Sequence, residues 1–167
     1  MPNPLLGVIS GGDLSLSGAA LVELMRAVLA KGASFRFRAK GWSMAPFIRD
    51  GDVICVSPLA ASGPMIGDVV AFFTPEMQRL VVHRVVLRRG DACVSRGDNV
   101  PGMTDGTISG KHILGRVTRV TRDGRDVWLG LGPERRLIAL LSRTGLLPPA
   151  RLRLATIARR LVRRCQL

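Results

Sequence analysis

Nowhere does the sequence stay apolar long enough to cross a bilayer as a helix. Its longest wholly apolar runs, such as Val69 to Phe73 and Leu137 to Leu141, fall far short of the roughly 18 residues such a helix needs. The first ten residues carry no Lys or Arg and run into Gly11-Gly12-Asp13, so the basic start of a cleaved signal peptide is missing and none is expected. Cysteine is scarce: Cys55, Cys93 and Cys165 are widely spaced, odd in number and without a Cys-x-x-Cys step. That excludes a disulfide framework or redox dithiol and points to a reducing compartment. Cys55 and Cys93, in Val53-Ile54-Cys55-Val56 and Ala92-Cys93-Val94, are expected to act as small core hydrophobes in strands. The two histidines, His83 and His112, lack a close acidic pair at ligand spacing, so no metal is expected. Gly130-Leu131-Gly132 runs into Pro133 rather than Gly-Lys-Ser/Thr, which argues against a phosphate-cradling loop. No cofactor is expected.

Positive charge is what the chain has in excess. Lys and Arg number 25 against 12 Asp and Glu, a net charge of +13 and a pI near 11.6. Such a field attracts an anionic partner, nucleic acid or a membrane surface. Only Lys31, Lys40 and Lys111 are lysines, however, and a compositional bias toward Arg is the plainer explanation to weigh. Aromatics are 4% of the chain, and no stacking platform or known nucleic-acid module accompanies the charge, which disfavours nucleic acid. From Arg151 to Arg164, Leu152, Leu154, Ile157, Ala158, Leu161 and Val162 alternate with six arginines and no acid. This reads as a basic amphipathic helix that can lie in an anionic membrane interface, each basic residue contributing about 1 kcal/mol; a self-packed or solvated terminal helix is the alternative. The expected location is cytoplasmic, with peripheral contact at the inner membrane surface through this tail.

At 167 residues and 18.0 kDa the chain suits one domain with appended ends. Leu21, Leu24, Met25, Val28 and Leu29 recur at helical spacing and predict a helix over 14–29, with Ser15 or Ser17 as N-cap and Gly32 as stop. Phe35-Arg36-Phe37-Arg38 alternates as a half-buried strand should. Strands are then expected at Val53 to Val56, Val69 to Phe73, Leu80 to Leu87, Ala92 to Ser95, Ile113 to Val120 and Val127 to Leu129. Helical periodicity returns at Arg135 to Leu141 and in the tail, the two pieces broken apart by Gly145 and Pro148-Pro149. The division is therefore an N-terminal segment 1–34, a β domain 35–132 and a basic helical tail 133–167.

Four ordered blocks, each at a β-type segment or turn, carry the chemistry: the stretch from Gly41-Trp42-Ser43-Met44-Ala45-Pro46 to Gly51-Asp52, Gly67-Asp68-Val69-Val70, His83-Arg84-Val85, and Gly97-Asp98-Asn99. A hydroxyl is a poor nucleophile until a base removes its proton and backbone donors stabilise the oxyanion. Ser43 is the candidate, placed just after a β segment, behind a permissive Gly41 and before a helix-barring Pro46.

Taken together the blocks resemble the signal peptidase I family, which shares its catalytic fold with the self-cleaving LexA-type repressors. The resemblance spans roughly Phe35 to Val120. It implies a mainly β protein, a coiled antiparallel sheet with short flanking N- and C-terminal helices, acting as a serine endopeptidase on a leader or signal segment of a precursor peptide. By this resemblance Ser43 is the nucleophile. The family's base is either a Lys or, in the endoplasmic-reticulum type, a His, and Val82-His83-Arg84-Val85 follows the second pattern. Asp105 approximates the downstream Asp of the His-type relatives and is the preferred orienting acid. Asp98, in the family's Gly-Asp turn, is the alternative and is expected mainly to hold its loop. Asp52 and Asp68 match further Gly-Asp turns and are read as structural. The oxyanion hole is expected from the backbone N–H of Ser43 with that of Met44. Two departures stand out. No membrane tether is seen, and Gly41 stands where many relatives place a second Ser, whose hydroxyl is worth on the order of 10²-fold in rate. Lys111 and His112 fall on the last shared strand without a catalytic role. Two rivals remain: a self-cleaving LexA-like regulator, which only 42 residues before Ser43 and no Ala-Gly or Cys-Gly step disfavour, and a non-catalytic binding module.

Overall fold

The computed structural model describes residues 18–100 and 102–144. Helix α1 (Gly18–Ala30) opens this region, followed by strands β1 (Phe35–Arg38), β2 (Val53–Ser57), β3 (Val69–Thr74), β4 (Arg79–Arg89), β5 (Ala92–Arg96), β6 (Thr107–Ser109), β7 (Ile113–Arg122) and β8 (Arg125–Asp126). Helix α2 (Arg135–Arg143) closes it. The protein is mainly β: one curled, antiparallel, half-barrel sheet with two short helices.

The strand order β1-β2-β7-β3-β4-β5-β6, with β8 added beside β7, makes β7 the spine. Its C-terminal half pairs β2 and its N-terminal half pairs β3, each with a register shift, between Cys55 and Val56 and between Ala71 and Phe72. Such bulges sharpen local twist, as a curling sheet requires. β4 also pairs on both sides, but unevenly. β3 runs along it from Arg79 to Arg84, whereas β5 runs along it from Arg84, opposite Arg96, to Arg89.

On α1, Val22, Met25 and Leu29 are spaced by three and four and form the buried stripe. Met25 and Leu29 enter a core with Met44, Ile48, Ile54, Val56, Val69, Ala71, Val117 and Val120. Fully burying a side chain such as Met25 contributes about 1.5–3 kcal/mol, so the helix is part of the same core as the sheet. Gly32, at φ 75°, ends it as expected, its N–H on the Leu29 carbonyl. A second cluster gathers Val70, Phe72, Val85, Cys93, Ile108 and Ile113. Cys93 is wholly buried there, as the sequence led us to expect; burial, helped by the negative Asp105, pushes its thiol pKa up, so it is an inert core group. Cys55 is half-buried.

Two elements differ from expectation. Val127 to Leu129 is no strand: β8 is only Arg125–Asp126, and the chain then turns, leaving Trp128 and Leu129 largely exposed. Those residues instead border a cavity of about 620 Å³ with Thr118, Leu131 and Pro133. β6 was not anticipated, since three residues carry no measurable periodicity. The proposed caps Ser15 and Ser17, and the helix over Arg151 to Arg164, lie outside the described residues. Among the described residues no helix is long and apolar enough to cross a membrane.

Candidate active site

After β1 the chain turns at Gly41, whose φ of 94° suits a residue without a side chain and whose N–H donates to Asp50 Oδ1 at 2.7 Å. The following loop closes on itself, Ala45 N–H reaching the Trp42 carbonyl and both Phe47 and Ile48 reaching that of Met44. Met44, Ala45, Phe47 and Ile48 are buried. Ser43, half-buried, is thus held on a loop fixed by its own apolar residues.

His83 lies on β4, and its ring bridges two of the proposed partners. Nε2 is 2.9 Å from Ser43 Oγ and Nδ1 is 2.7 Å from Asp105 Oδ2. A carboxylate can only accept, so the proton belongs on Nδ1 and the Nε2 lone pair is left for the Ser43 O–H. The edge of the ring meets Phe72, with centroids 6.3 Å apart. Ser43, His83 and Asp105 thus form one hydrogen-bonded chain.

Asp98 has another partner. Arg84, next to His83 and wholly buried, donates Nε and Nη2 to both Asp98 oxygens at 2.7–3.1 Å. Its Nη1 reaches the carbonyls of Gly67 and Gly130, and its guanidinium carbon stands 5.4 Å from the centre of the Phe47 ring. Burial pushes the Asp98 carboxyl up, against the bonds and charge of Arg84 and the charge of His83. Asp98 so anchors Arg84 beneath the Ser43 loop and makes no hydrogen bond to the imidazole. The Gly130-Leu131-Gly132 segment is part of this support: the N–H groups of Gly130 and Gly132 donate to Glu134 Oε1, which holds the Glu134 carboxyl below its ordinary value.

The Gly97-Asp98-Asn99 turn clamps the Ser43 loop from the other side. Asn99 N–H donates to the Ser43 carbonyl at 2.7 Å and its side-chain amide to the Trp42 carbonyl at 3.1 Å. A Cβ on Gly97 would lie 2.8 Å from the Ser43 carbonyl oxygen and 3.1 Å from His83 Nε2, so only glycine permits this approach. Extending the pairing of Arg84 with Arg96 by one step sets Gly97 opposite His83.

The structural reading of Asp52 and Asp68 agrees with their surroundings. Asp52 accepts from the Arg49 N–H and from Arg122 Nε and Nη2 at 2.8–2.9 Å. Burial alone would raise its pKa, but the Arg122 bonds, the Arg49 amide and both positive charges outweigh that and hold it low. Asp68 accepts from the Met65 N–H and lies 3.3 Å from Arg135 Nε. Lys111 and His112 lie in a single 3-10 turn, Gly110–His112, ahead of β7 and make no hydrogen bond to Ser43, His83 or Asp105. Among the described residues, no group of three or more His, Cys, Asp or Glu stands close enough to hold a metal.

Sequence reasoning missed the supports, Arg84, Ser95, Gly97 and Asn99. The Gly-Asp-Asn turn was visible as a block, yet its contacts with Ser43 depend on a fold that brings positions some 55 residues apart together. Compared with known proteins, the chain matches no protein-family model and no curated protein.

Proposed function

We propose that the protein is a serine endopeptidase of the signal-peptidase type, with the coiled-sheet fold shared by that family and the LexA-type repressors. The observation that carries this reading is the continuous chain from Ser43 Oγ through His83 to Asp105 Oδ2, at 2.9 and 2.7 Å. A Ser-His contact alone does not define a base; the carboxylate that fixes the tautomer is what a general base requires.

In the proposed reaction Ser43 Oγ attacks a peptide carbonyl carbon while His83 Nε2 takes the hydroxyl proton. The N–H groups of Ser43 and Met44, which donate to no acceptor among the described residues, are the donors for the resulting oxyanion. His83 then returns its proton to the leaving amine, the C–N bond breaks, and an acyl group remains on Ser43. A water that gives its proton to His83 attacks that ester and releases the acid, restoring Ser43. Asp105 keeps its charge throughout and stabilises the imidazolium.

An extended substrate has somewhere to pair. The first residues of β4, up to His83, have β3 on one side and no strand on the other, and β1 has only β2. Both free edges lead to Ser43, and a peptide laid along either would gain main-chain hydrogen bonds. The substrate class that fits is an unfolded precursor segment, such as a leader.

The test is a proteome-derived peptide mixture incubated with the purified protein, new termini being mapped by mass spectrometry. Wild type should create termini sharing a sequence pattern, and Ser43→Ala should create none while keeping its circular dichroism spectrum and Tm. Equal cleavage by both proteins would refute the assignment, as would no cleavage by wild type.

A further inference from the structure

Ser95 stands out because its hydroxyl is in the wrong surroundings for its packing. It lies on β5, fully buried, opposite Val85 and two residues from Cys93, both members of the second apolar cluster. A hydroxyl shut away from water costs free energy unless it is hydrogen-bonded, and alanine would fill the same space without that cost. Among the described residues it has one partner, Asp105: Ser95 Oγ donates to Oδ2 at 2.6 Å, the same oxygen that receives His83 Nδ1–H. The backbone carbonyl of Ser95 also accepts the Asp105 N–H at 3.0 Å.

Asp105 needs such a hold. It belongs to the connection from β5 to β6, where Gly102 and Gly106 both sit at positive φ and Gly102 to Gly106 are exposed. A loop of that kind does not fix a carboxylate by its own packing. Strand register supplies the fixed point instead. Because alternate residues share a face, His83 and Val85 on β4 share one with Ser95 and Gly97 on β5. Gly97, opposite His83, leaves the space that Ser43 fills; Ser95, one pair further along, grips the acid that orients the same imidazole.

We propose that Ser95 is a positioning residue of the catalytic apparatus, holding Asp105 Oδ2 on His83 Nδ1 through its buried hydroxyl. Its influence on the rate rests on the peptidase reading; its influence on the imidazole does not. Being wholly buried, Ser95 touches no substrate, so Ser95→Ala should leave KM unchanged and lower kcat about ten- to a hundredfold, the scale set by a loss of alignment on the order of 1 Å. Its effect passes through Asp105, so the double variant Ser95→Ala, Asp105→Asn should be no slower than Asp105→Asn alone. Independent penalties that multiply would overturn the proposal.

A second measurement does not depend on turnover. In wild type labelled with 15N in its two histidines, the His83 Nδ1–H should give a slowly exchanging, far-downfield proton signal, identified against His112→Gln. Ser95→Ala should broaden it or abolish it by exchange with solvent, as Asp105→Asn should. If the signal survives Ser95→Ala unchanged, Ser95 does not position the acid. If it is lost as expected while Ser43→Ala cleaves peptides like wild type, the positioning stands and the peptidase reading falls.

Discussion

Replacing Asp98 with Asn separates the two acids that the sequence leaves in competition. Arg84 is wholly buried and puts Nε and Nη2 on the two oxygens of Asp98, while Nη1 holds the carbonyls of Gly67 and Gly130. The substitution is nearly isosteric, so packing is kept, but the guanidinium loses its countercharge where water does not reach. Removing one partner of a buried pair costs about 3–5 kcal/mol. For a chain of this length about 2–4 °C of Tm is lost per kcal/mol, so Tm should fall by roughly 6–20 °C. The side chain of Asp105 is 21% exposed, and its neutralisation strands no buried cation. Asp105→Asn should therefore move Tm by only a few degrees while reducing kcat by up to about 10⁴-fold, as losing an orienting carboxylate can. Thermal unfolding followed by circular dichroism gives the first quantity. Turnover of the same preparations, well below both transitions, gives the second, and there Asp98→Asn should retain most of its rate. If Asp98→Asn melts with wild type yet abolishes turnover, and Asp105→Asn cleaves at full rate, the roles assigned to the two acids are reversed.

Gly97→Ala should lower kcat about a hundredfold, because its methyl must displace the Ser43 carbonyl or the His83 ring, with a stability loss of about 1–3 kcal/mol from overpacking; full activity in the folded variant would show that the clamp is not tight. Asp52 gives a pH-dependent prediction. Its folded-state pKa lies below the ordinary value, so its contribution is fully present above an unfolded-state pKa of about 3.9 and is lost as pH falls through the lower folded value. Asp52→Asn should therefore be less stable than wild type near neutrality, and the two Tm curves should converge in strong acid; a gap that persists unchanged to pH 2 would contradict this.

Most of the sheet was legible because its signals are local. Phe35 to Arg38 alternate and are observed half-buried and exposed in turn, and Val69 to Ala71, an apolar run with no alternation, belong to a strand with neighbours on both sides. The same logic failed at Val127 to Leu129. Three apolar residues there satisfy a strand pattern, but the glycines at 130 and 132 turn their amides onto Glu134, and Gly130 must pass so close to Phe47 that a Cβ would lie 2.9 Å from its ring. The chain is needed at that point as a tight support for Arg84, and a strand cannot supply it.

The site divides in the same way, by the distance over which each residue acts. Ser43, His83 and Asp105 could be singled out because the proposed chemistry restricts which residue types can stand there. Arg84 and Ser95 were not, because a buried arginine and a buried serine announce themselves only through what faces them: a carboxylate 14 residues away in one case and 10 in the other. In sequence Arg84 looked like one more member of an arginine-rich population, and Ser95 like a polar residue ending a strand. Yet these two decide which acid meets His83. The fully enclosed guanidinium claims Asp98 and so removes it from His83, while the hydroxyl beside the apolar cluster secures Asp105 for the imidazole. The assignment of the triad therefore follows less from the acids' own spacing along the chain than from the cation and the hydroxyl that each acid meets when β4 and β5 pair.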